Sequence, residues 1–256
     1  MKRYRAIPEY YDAENASHEM LERDVPFFLK HLRGRQSTLE LAVGTARAAI
    51  PIAQAGHQVV GIDNDARMLE IARRKRDAVG LGDREVKLVC GDVLKFDLRR
   101  RFDWVCIFFN TFLAFTTLQE QDQLLQAVVR HLKPRGRFWL DIFQPNLAIL
   151  AQEVSVDLAP VAFYVPELDR TVCKTIEVRR DPTRQMQRVT FHYTFFDAKG
   201  LEHRQRREFD LTFVFPRELH LLLERNGLRI ERMYGDHDGS RLNADSPRMI
   251  ARCSRA

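Results

Sequence analysis

Two short segments carry residue types that can hold a nucleoside. In Glu40-Leu41-Ala42-Val43-Gly44, a single glycine lets a ligand approach the backbone, and the helical pattern that follows offers free amide N–H groups. Asp63 lies 19 residues after Gly44, at the end of the next apolar run. An acidic residue at this spacing accepts hydrogen bonds from both hydroxyls of an adenosine ribose. The alternatives are an ordinary strand-to-helix turn at Gly44 and a helix cap at Asp63.

A third segment, Cys90-Gly91-Asp92-Val93, follows another apolar run. Its Asp92 carboxylate can accept a hydrogen bond from the exocyclic amine of adenine while Val93 packs against the ring. An aspartate in a turn or a cap would have the same appearance. Because ligands of open parallel sheets bind at the carboxyl ends of the strands, we expect the three segments to form one site.

The elements that must position these segments alternate between short apolar runs and helical patterns. The predicted strands cover residues 38–43, 58–62, 86–90, 104–109 and 137–143. The predicted helices between them cover residues 45–54, 66–79 and 118–132. Each parallel crossover needs a helix, so this alternation predicts an α/β fold with a doubly wound, mostly parallel, Rossmann-like sheet.

The pattern changes after residue 150. Three β-rich runs follow, joined by turns too short for crossovers, and they predict an antiparallel meander over residues 171–178, 188–196 and 207–215. A helix at 216–226 then precedes two further strands, at 228–234 and 248–253. These two strands return to the main sheet as a closing antiparallel hairpin, which brings that sheet to seven strands.

This reading divides the chain into four segments with different predicted tasks. They are an N-terminal helical cap segment (1–35), a cofactor-binding core (36–150), an antiparallel β insertion that forms a lid or a dimer element (151–215), and a C-terminal helix and hairpin that complete the core sheet (216–256).

The composition is that of a globular chain. Of 256 residues, 45% are hydrophobic and 30% charged, which excludes disordered, collagen-like and coiled-coil classes.

Neither a signal peptide nor a membrane span is visible. The four cysteines form no CxxC pair, which favours reduced thiols in the cytoplasm over a metal site. Asp236-His237-Asp238 is interpreted as a loop ending in a turn, not as a metal cluster. The net charge of +6 is spread along the chain, so nucleic acid is disfavoured.

Taken together, these segments resemble the class I S-adenosylmethionine-dependent methyltransferases. The resemblance rests on ELAVGTARAAIPIAQAG, VVGIDNDARMLEIARRK, LVCGDVLKFDL, FDWVCIFFNTF and LLQAVVRHLKPRGRFWLDIF, which are similar to successive motifs of that family. The start, YYDAEN, and the end, YGDHDGSRLNADSPRMIARC, resemble a subgroup of small-molecule methyltransferases with an antiparallel insertion.

The resemblance implies S-adenosylmethionine as cofactor and assigns residues to it. Glu40 and Gly44 would line the methionine part, Asp63 the ribose, and Asp92 with Val93 the adenine. Asn110, after the fourth strand, would face the transferred methyl group. The implied cofactor-binding residues are Glu40, Ala42, Gly44, Asp63, Asn64, Met68, Asp92, Val93 and Asn110. Ala42 and Ala46 stand at positions that are often glycine in the family, and their methyl groups could narrow the loop.

The expected reaction is methyl transfer to oxygen or nitrogen of a small molecule, with Asn110, Tyr11 and His192 as candidate catalytic residues. Asn110-Thr111-Phe112-Leu113 lacks the Asn/Asp-Pro-Pro-aromatic sequence of enzymes that methylate base amines, which disfavours nucleic-acid bases. His192 is either a general base or an exposed strand histidine.

Two alternatives remain open at this stage. One is an S-adenosylmethionine-binding regulatory protein without catalysis, which Ala42 and Ala46 motivate. The other is an NAD-dependent oxidoreductase, although its fingerprint needs G-x-G-x-x-G and this chain has A-x-G-T-A.

Overall fold

The computed structural model describes residues 7–16 and 18–256, without the side chains of residues 157–159. The strands are, in chain order, β1 Ser37–Leu41, β2 Gln58–Asp63, β3 Val86–Cys90, β4 Phe102–Ile107, β5 Leu132–Phe143, β6 Val154–Val165, β7 Arg170–Asp181, β8 Met186–Phe196, β9 Glu202–Thr212, β10 Leu228–Tyr234 and β11 Arg248–Arg255. The α-helices are α1 Pro8–Asn15, α2 Glu19–Leu29, α3 Ala49–Gln54, α4 Ala66–Ala78, α5 Leu118–His131, α6 Leu147–Leu150 and α7 Pro216–Arg225.

The chain folds into two compact units. One contains residues 18–112, 117–144 and 215–256, and its seven-stranded sheet has the order β10-β11-β5-β4-β1-β2-β3. Strands β1 to β5 are parallel, whereas β11 pairs antiparallel with both β5 and β10. The predicted α/β class, mostly parallel seven-stranded sheet and closing antiparallel hairpin are confirmed.

Local signals explain the helices that separate the parallel strands. Asp65 caps α4 by accepting the N–H groups of Arg67 and Met68, and Thr117 caps α5 by accepting that of Glu120. Each helix buries one apolar stripe against the sheet. The predicted helix at 45–54 was too long, because the left-handed backbone of Ala46 (φ 61°) interrupts it and α3 begins only at Ala49.

An aromatic cluster fills the core of this unit. Phe28 of α2 makes edge-to-face contacts with Trp104, Phe108 and Trp139, at centroid distances of 5.3, 5.4 and 5.3 Å. All four rings are buried. Such pairs add to the stabilisation from area burial, so α2 is fixed over strands β4 and β5.

The other unit contains residues 7–16, 113–116 and 145–214 of the described chain. Its antiparallel sheet has four strands in the order β6-β7-β8-β9, so the prediction of three strands was wrong. Strand β6 escaped prediction because its pairing with β7 shifts register between Asp157 and Val161, which interrupts the apolar–polar alternation.

Helix α1 covers part of one face of this smaller sheet. Tyr10 contacts the rings of Phe163 and Tyr193 edge-on, at centroid distances of 6.0 and 5.4 Å. Glu14 accepts a hydrogen bond from the Tyr193 hydroxyl at 2.9 Å and forms an ion pair with Lys174. The N-terminal helix and the insertion therefore share one small core.

Candidate functional site

The loop after β1 has a left-handed residue at every second position. The φ angles of Ala42, Gly44 and Ala46 are 57°, 54° and 61°. Three N–H groups of this loop are bonded within the protein: Val43 to the Ile62 carbonyl, Gly44 to Asp63 Oδ2 and Ala46 to the Val43 carbonyl. A Cβ built on Gly44 would meet nothing within 4 Å, so the space beside this residue is open. The two alanines adopt the conformation that glycine would, so their methyl groups do not prevent the loop from forming.

Glu40 lies at the base of this loop with 5% of its surface exposed. Among the described residues, its Oε2 atom is buried and has no hydrogen-bond partner. Burial raises the pKa of this carboxyl to about 8, against the attraction of the Arg47 guanidinium. A buried carboxyl oxygen without a partner suits the ammonium group of an amino acid.

Asp63 connects the ends of β1 and β2, which lie side by side. Its Oδ2 atom accepts the Gly44 N–H at 2.8 Å and its Oδ1 atom accepts the Asp65 N–H at 2.9 Å. Burial raises the pKa of Asp63, and these backbone hydrogen bonds oppose the increase. Because Asp65 caps α4, Asp63 does not serve as that cap. A carboxylate has about four acceptor positions, so two remain for ribose hydroxyls.

The other predicted cofactor residues follow β2 and β3. Asn64 is exposed and Met68 is buried at the start of α4. After β3, Asp92 accepts the Leu94 N–H at 2.9 Å, and Val93 is 8% exposed. Strands β2 and β3 pair as far as Asp63 and Cys90, which brings these two carboxyl ends to the same edge of the sheet. The roles of these residues stay predictions.

Asn110 follows β4 in a strained turn. Phe109 and Asn110 both have left-handed backbones, with φ angles of 45° and 63°. The Asn110 N–H donates to the Asp141 carbonyl at 3.0 Å, and its Oδ1 atom accepts the Phe143 N–H at 2.8 Å. Consecutive left-handed residues other than glycine persist only where surrounding contacts hold them, and here the end of β5 does so.

A buried group of three polar side chains next to Asn110, those of Asp141, His237 and Arg248, was missed from the sequence. Asp141 on β5 is fully buried and accepts hydrogen bonds from Arg248 Nε at 2.8 Å and from His237 Nε2 at 2.9 Å. Burial acts to raise the pKa of Asp141, but Arg248 and His237 outweigh it and hold that pKa below its ordinary value. The signal was Asp141 itself, because a carboxylate inside an apolar strand needs a partner.

The side chains of Asp236, His237 and Asp238 have separate partners. Asp236 pairs with Arg23 at 2.6 Å, while His237 turns inward to Asp141. Within the part of the chain that the structure describes, no three His, Cys, Asp or Glu side chains are grouped to hold a metal ion.

Tyr11 and His192, the other candidate catalytic residues, belong to the smaller unit. Tyr11 lies on α1 and is half-buried. His192 lies on β8, where its side chain is 44% exposed and its Nε2 atom is 3.9 Å from Glu177. Neighbouring strand residues face opposite sides, so His192 projects away from the face on which Tyr193 contacts α1. Their catalytic roles stay predictions.

Comparison with known proteins agrees with this arrangement. Residues 38–136 match the family model of a methyltransferase domain. The structure of the CcbJ methyltransferase from Streptomyces caelestis has a TM-score of 0.78 and 25% identity, over 94% of this chain and 98% of that chain. These matches support the predicted class I S-adenosylmethionine-dependent methyltransferase family, whose cofactor is S-adenosylmethionine.

Two further relatives extend the comparison. The cypemycin N-terminal methyltransferase of a Streptomyces species is 35% identical over 114 residues, which are 44% of this chain and 44% of that protein. The aligned region thus spans less than half the length of that relative. The S-adenosylmethionine-bound CalS10 amino pentose methyltransferase from Micromonospora echinaspora has a TM-score of 0.74 and 19% identity, over 100% of this chain and 99% of that one, which shows a common fold.

The residues present fit the cofactor of the family. Glu40 offers an unpartnered oxygen for an ammonium group, the loop around Gly44 is open, and Asp63 keeps free acceptor positions. No helix in the described ranges has the length and apolar character that crossing a bilayer requires.

Proposed function

We propose that this protein transfers the methyl group of S-adenosylmethionine to oxygen or nitrogen of a small-molecule acceptor. The observation that carries the proposal is the junction of β1 and β2, where Asp63 binds the Gly44 amide and Glu40 keeps a buried, unpartnered oxygen among the described residues. This is a site for a ribose beside an amino acid, which is the combination that the cofactor contains.

The proposed roles follow from the chemistry of each group. Asp63 accepts the ribose hydroxyls, Glu40 binds the methionine ammonium group, and Asp92 with Val93 holds the adenine. The bound cofactor supplies a methyl group on a sulfonium, which leaves as a neutral thioether. Such a transfer needs mainly alignment and exclusion of water, so the protein contributes by positioning.

The acceptor is the finer part of the proposal. The name of the cypemycin N-terminal methyltransferase supports amines as the first acceptors to test. Hydroxyl acceptors stay in the same panel. Tyr11 and His192 are the proposed candidates for contact with the acceptor, while a homodimer contact through the insertion and a cytoplasmic location rest on the sequence alone.

Calorimetric titration tests the proposal and its alternatives. We expect the protein to bind S-adenosylmethionine and S-adenosylhomocysteine but not NAD. Turnover of any amine or hydroxyl acceptor then establishes the enzyme. Binding of NAD alone would contradict the proposal, and cofactor binding without turnover across a broad panel would favour the regulatory alternative.

Substitution of Asp63 tests the site itself. Asp63→Ala should weaken cofactor binding by about 1.5 to 3 kcal/mol, the range for hydrogen bonds to charged groups. Asp63→Asn keeps one oxygen for a backbone amide and should bind with intermediate affinity. The matched control is Asp65→Ala, which removes the cap of α4 and should lower stability by about 1 kcal/mol without changing affinity. Equal affinity of Asp63→Ala and the wild type, measured by calorimetry, would refute the assignment.

A further inference from the structure

The orientation of the Asn110 side-chain amide is fixed by two donors. Its Oδ1 atom accepts the Phe143 N–H at 2.8 Å and the Arg248 Nη1–H at 3.0 Å. Both partners can only donate, so the oxygen and not the nitrogen must face them. The two lone pairs of this amide oxygen are therefore used within the protein.

Arg248 is itself held rigidly. Its Nε and Nη2 atoms donate to Asp141 Oδ1 at 2.8 and 2.5 Å, and its side chain is 1% exposed. His237 donates to the other oxygen of Asp141. Because Nε and Nη2 are bonded to Asp141, Nη1 is the guanidinium nitrogen that reaches Asn110. The buried guanidinium cannot turn away from Asn110 without losing its two hydrogen bonds to Asp141.

The Nδ2 amide of Asn110 is left for a ligand. Among residues 7–16 and 18–256 it makes no hydrogen bond, and Asn110 is only half-buried. With the oxygen occupied, this side chain can donate N–H groups but cannot accept them. It can thus bind an oxygen lone pair, whereas it cannot hold the N–H groups of an attacking amine.

We propose that Arg248 is a positioning residue, which orients Asn110 so that its Nδ2 amide donates to an oxygen of the bound molecules. The inference rests on the proposed function, because it takes the carboxyl end of β4 as part of the methyl-transfer site. The oxygen is a carboxylate of the cofactor or a hydroxyl or carbonyl of the acceptor. In both cases the oxygen accepts a hydrogen bond from Asn110. A cofactor oxygen would affect the affinity for S-adenosylhomocysteine, whereas an acceptor oxygen would affect the KM of the acceptor.

Isosteric and truncated variants of Asn110 test the donor. Asn110→Asp retains an oxygen toward Phe143 and Arg248 but replaces the donating amide by an accepting oxygen. Asn110→Ala removes both groups. If the oxygen belongs to the cofactor, each should weaken S-adenosylhomocysteine binding by about two- to tenfold, the range for one hydrogen bond, with Asn110→Asp the weaker binder. If it belongs to the acceptor, the KM of the acceptor should rise instead while affinity for S-adenosylhomocysteine stays unchanged.

Variants of Arg248 test whether it acts through Asn110. Arg248→Lys keeps a positive charge beside Asp141, and Arg248→Met with Asp141→Asn removes the buried pair together, so that no charge is left without a partner. Each should reproduce the effect of Asn110→Ala on the same constant and add nothing to it when combined with Asn110→Ala. Arg252→Lys, in the same strand and paired with Glu231, is the control and should leave both constants within twofold.

Nuclear magnetic resonance gives a readout that a purely structural role would not affect. The side-chain amide signal of Asn110, identified by its loss in Asn110→Asp, should shift in Arg248→Lys while backbone amide signals distant from the site stay in place. Additive effects in the double variants, or Asn110→Asp with wild-type affinity and turnover, would overturn the inference. Failure of the wild type to bind S-adenosylhomocysteine would instead refute the proposed function.

Discussion

At the scale of single residues, the Glu40 carboxyl that we assign to ligand binding also lowers the stability of the protein as the pH rises. Its carboxyl is buried, has an unpartnered oxygen among the described residues, and has a pKa of about 8 in place of an ordinary 4.5. The folded protein keeps the proton over a pH range in which the unfolded chain has already released it. The free energy of unfolding therefore falls as the pH rises from about 4.5 to 8, by up to about 1.4 kcal/mol per pH unit from this group.

Glu40→Gln should remove this pH dependence. The variant should gain stability relative to the wild type as the pH rises from 5 to 8, as measured by urea unfolding at each pH. It should bind S-adenosylmethionine more weakly, because glutamine cannot ionise to pair with the ammonium group. Glu224→Gln, an exposed change on α7, is the control. Parallel stability curves for the wild type and Glu40→Gln would show that Glu40 ionises normally.

Ala42 and Ala46 give a second prediction at this scale. Both have left-handed backbones, which cost an ordinary residue about 1–2 kcal/mol and cost glycine little. Ala42→Gly and Ala46→Gly should each stabilise the protein by up to about 1 kcal/mol, after the entropy that glycine adds to the unfolded chain. Ala48→Gly is the control. Ala48 has an ordinary φ of −90°, so glycine relieves no strain there and this variant should be less stable than the wild type. Urea unfolding that shows the reverse order would exclude backbone strain in the loop.

At the scale of elements, an ion pair joins helix α2 to Arg47, which follows the loop around Gly44. Asp24, with 1% of its side chain exposed, accepts two hydrogen bonds from Arg47, at 2.9 and 2.6 Å. Asp24→Leu should cost up to about 3–5 kcal/mol of unfolding free energy, because the Arg47 guanidinium would lose two hydrogen bonds to a buried carboxylate. Asp24→Leu with Arg47→Met should cost less than the single change. Thermal and urea unfolding of both variants measure this, and additive losses would mean that the pair is not coupled.

The elements predicted well from the sequence are those with an uninterrupted pattern. The parallel strands and helices α4 and α5 have regular apolar spacing and capping residues, so their approximate bounds follow from local chemistry. Strand β6 does not, because a register shift breaks its pattern. The Asp141–His237 contact joins residues 96 apart, and no local pattern can show which distant residue balances a buried charge.

At the scale of the whole molecule, α1 and the insertion belong to one unit, and the predicted cofactor residues after β1, β2 and β3 belong to the other. Replacing residues 145–214 by a Gly/Ser linker and removing residues 1–17 should therefore preserve S-adenosylhomocysteine affinity within several fold and abolish turnover. Removing the insertion alone would expose Ile7 and Tyr10 of the shared core, so that variant should aggregate. Calorimetry and light scattering distinguish the two, and loss of cofactor binding in the double deletion would show that the larger unit needs the smaller one.

Arg248 follows Asp141 by 107 residues in the sequence, which has a consequence during synthesis. A growing chain that has left the ribosome as far as residue 144 already contains the loop around Gly44, Asp63 and Asn110, but it contains neither partner of the Asp141 side chain. That carboxylate must stay hydrated, which keeps the end of β5 from closing, until His237 and Arg248 have been translated. The turn at Asn110, which the end of β5 holds, is thus completed only after residue 248 has been translated.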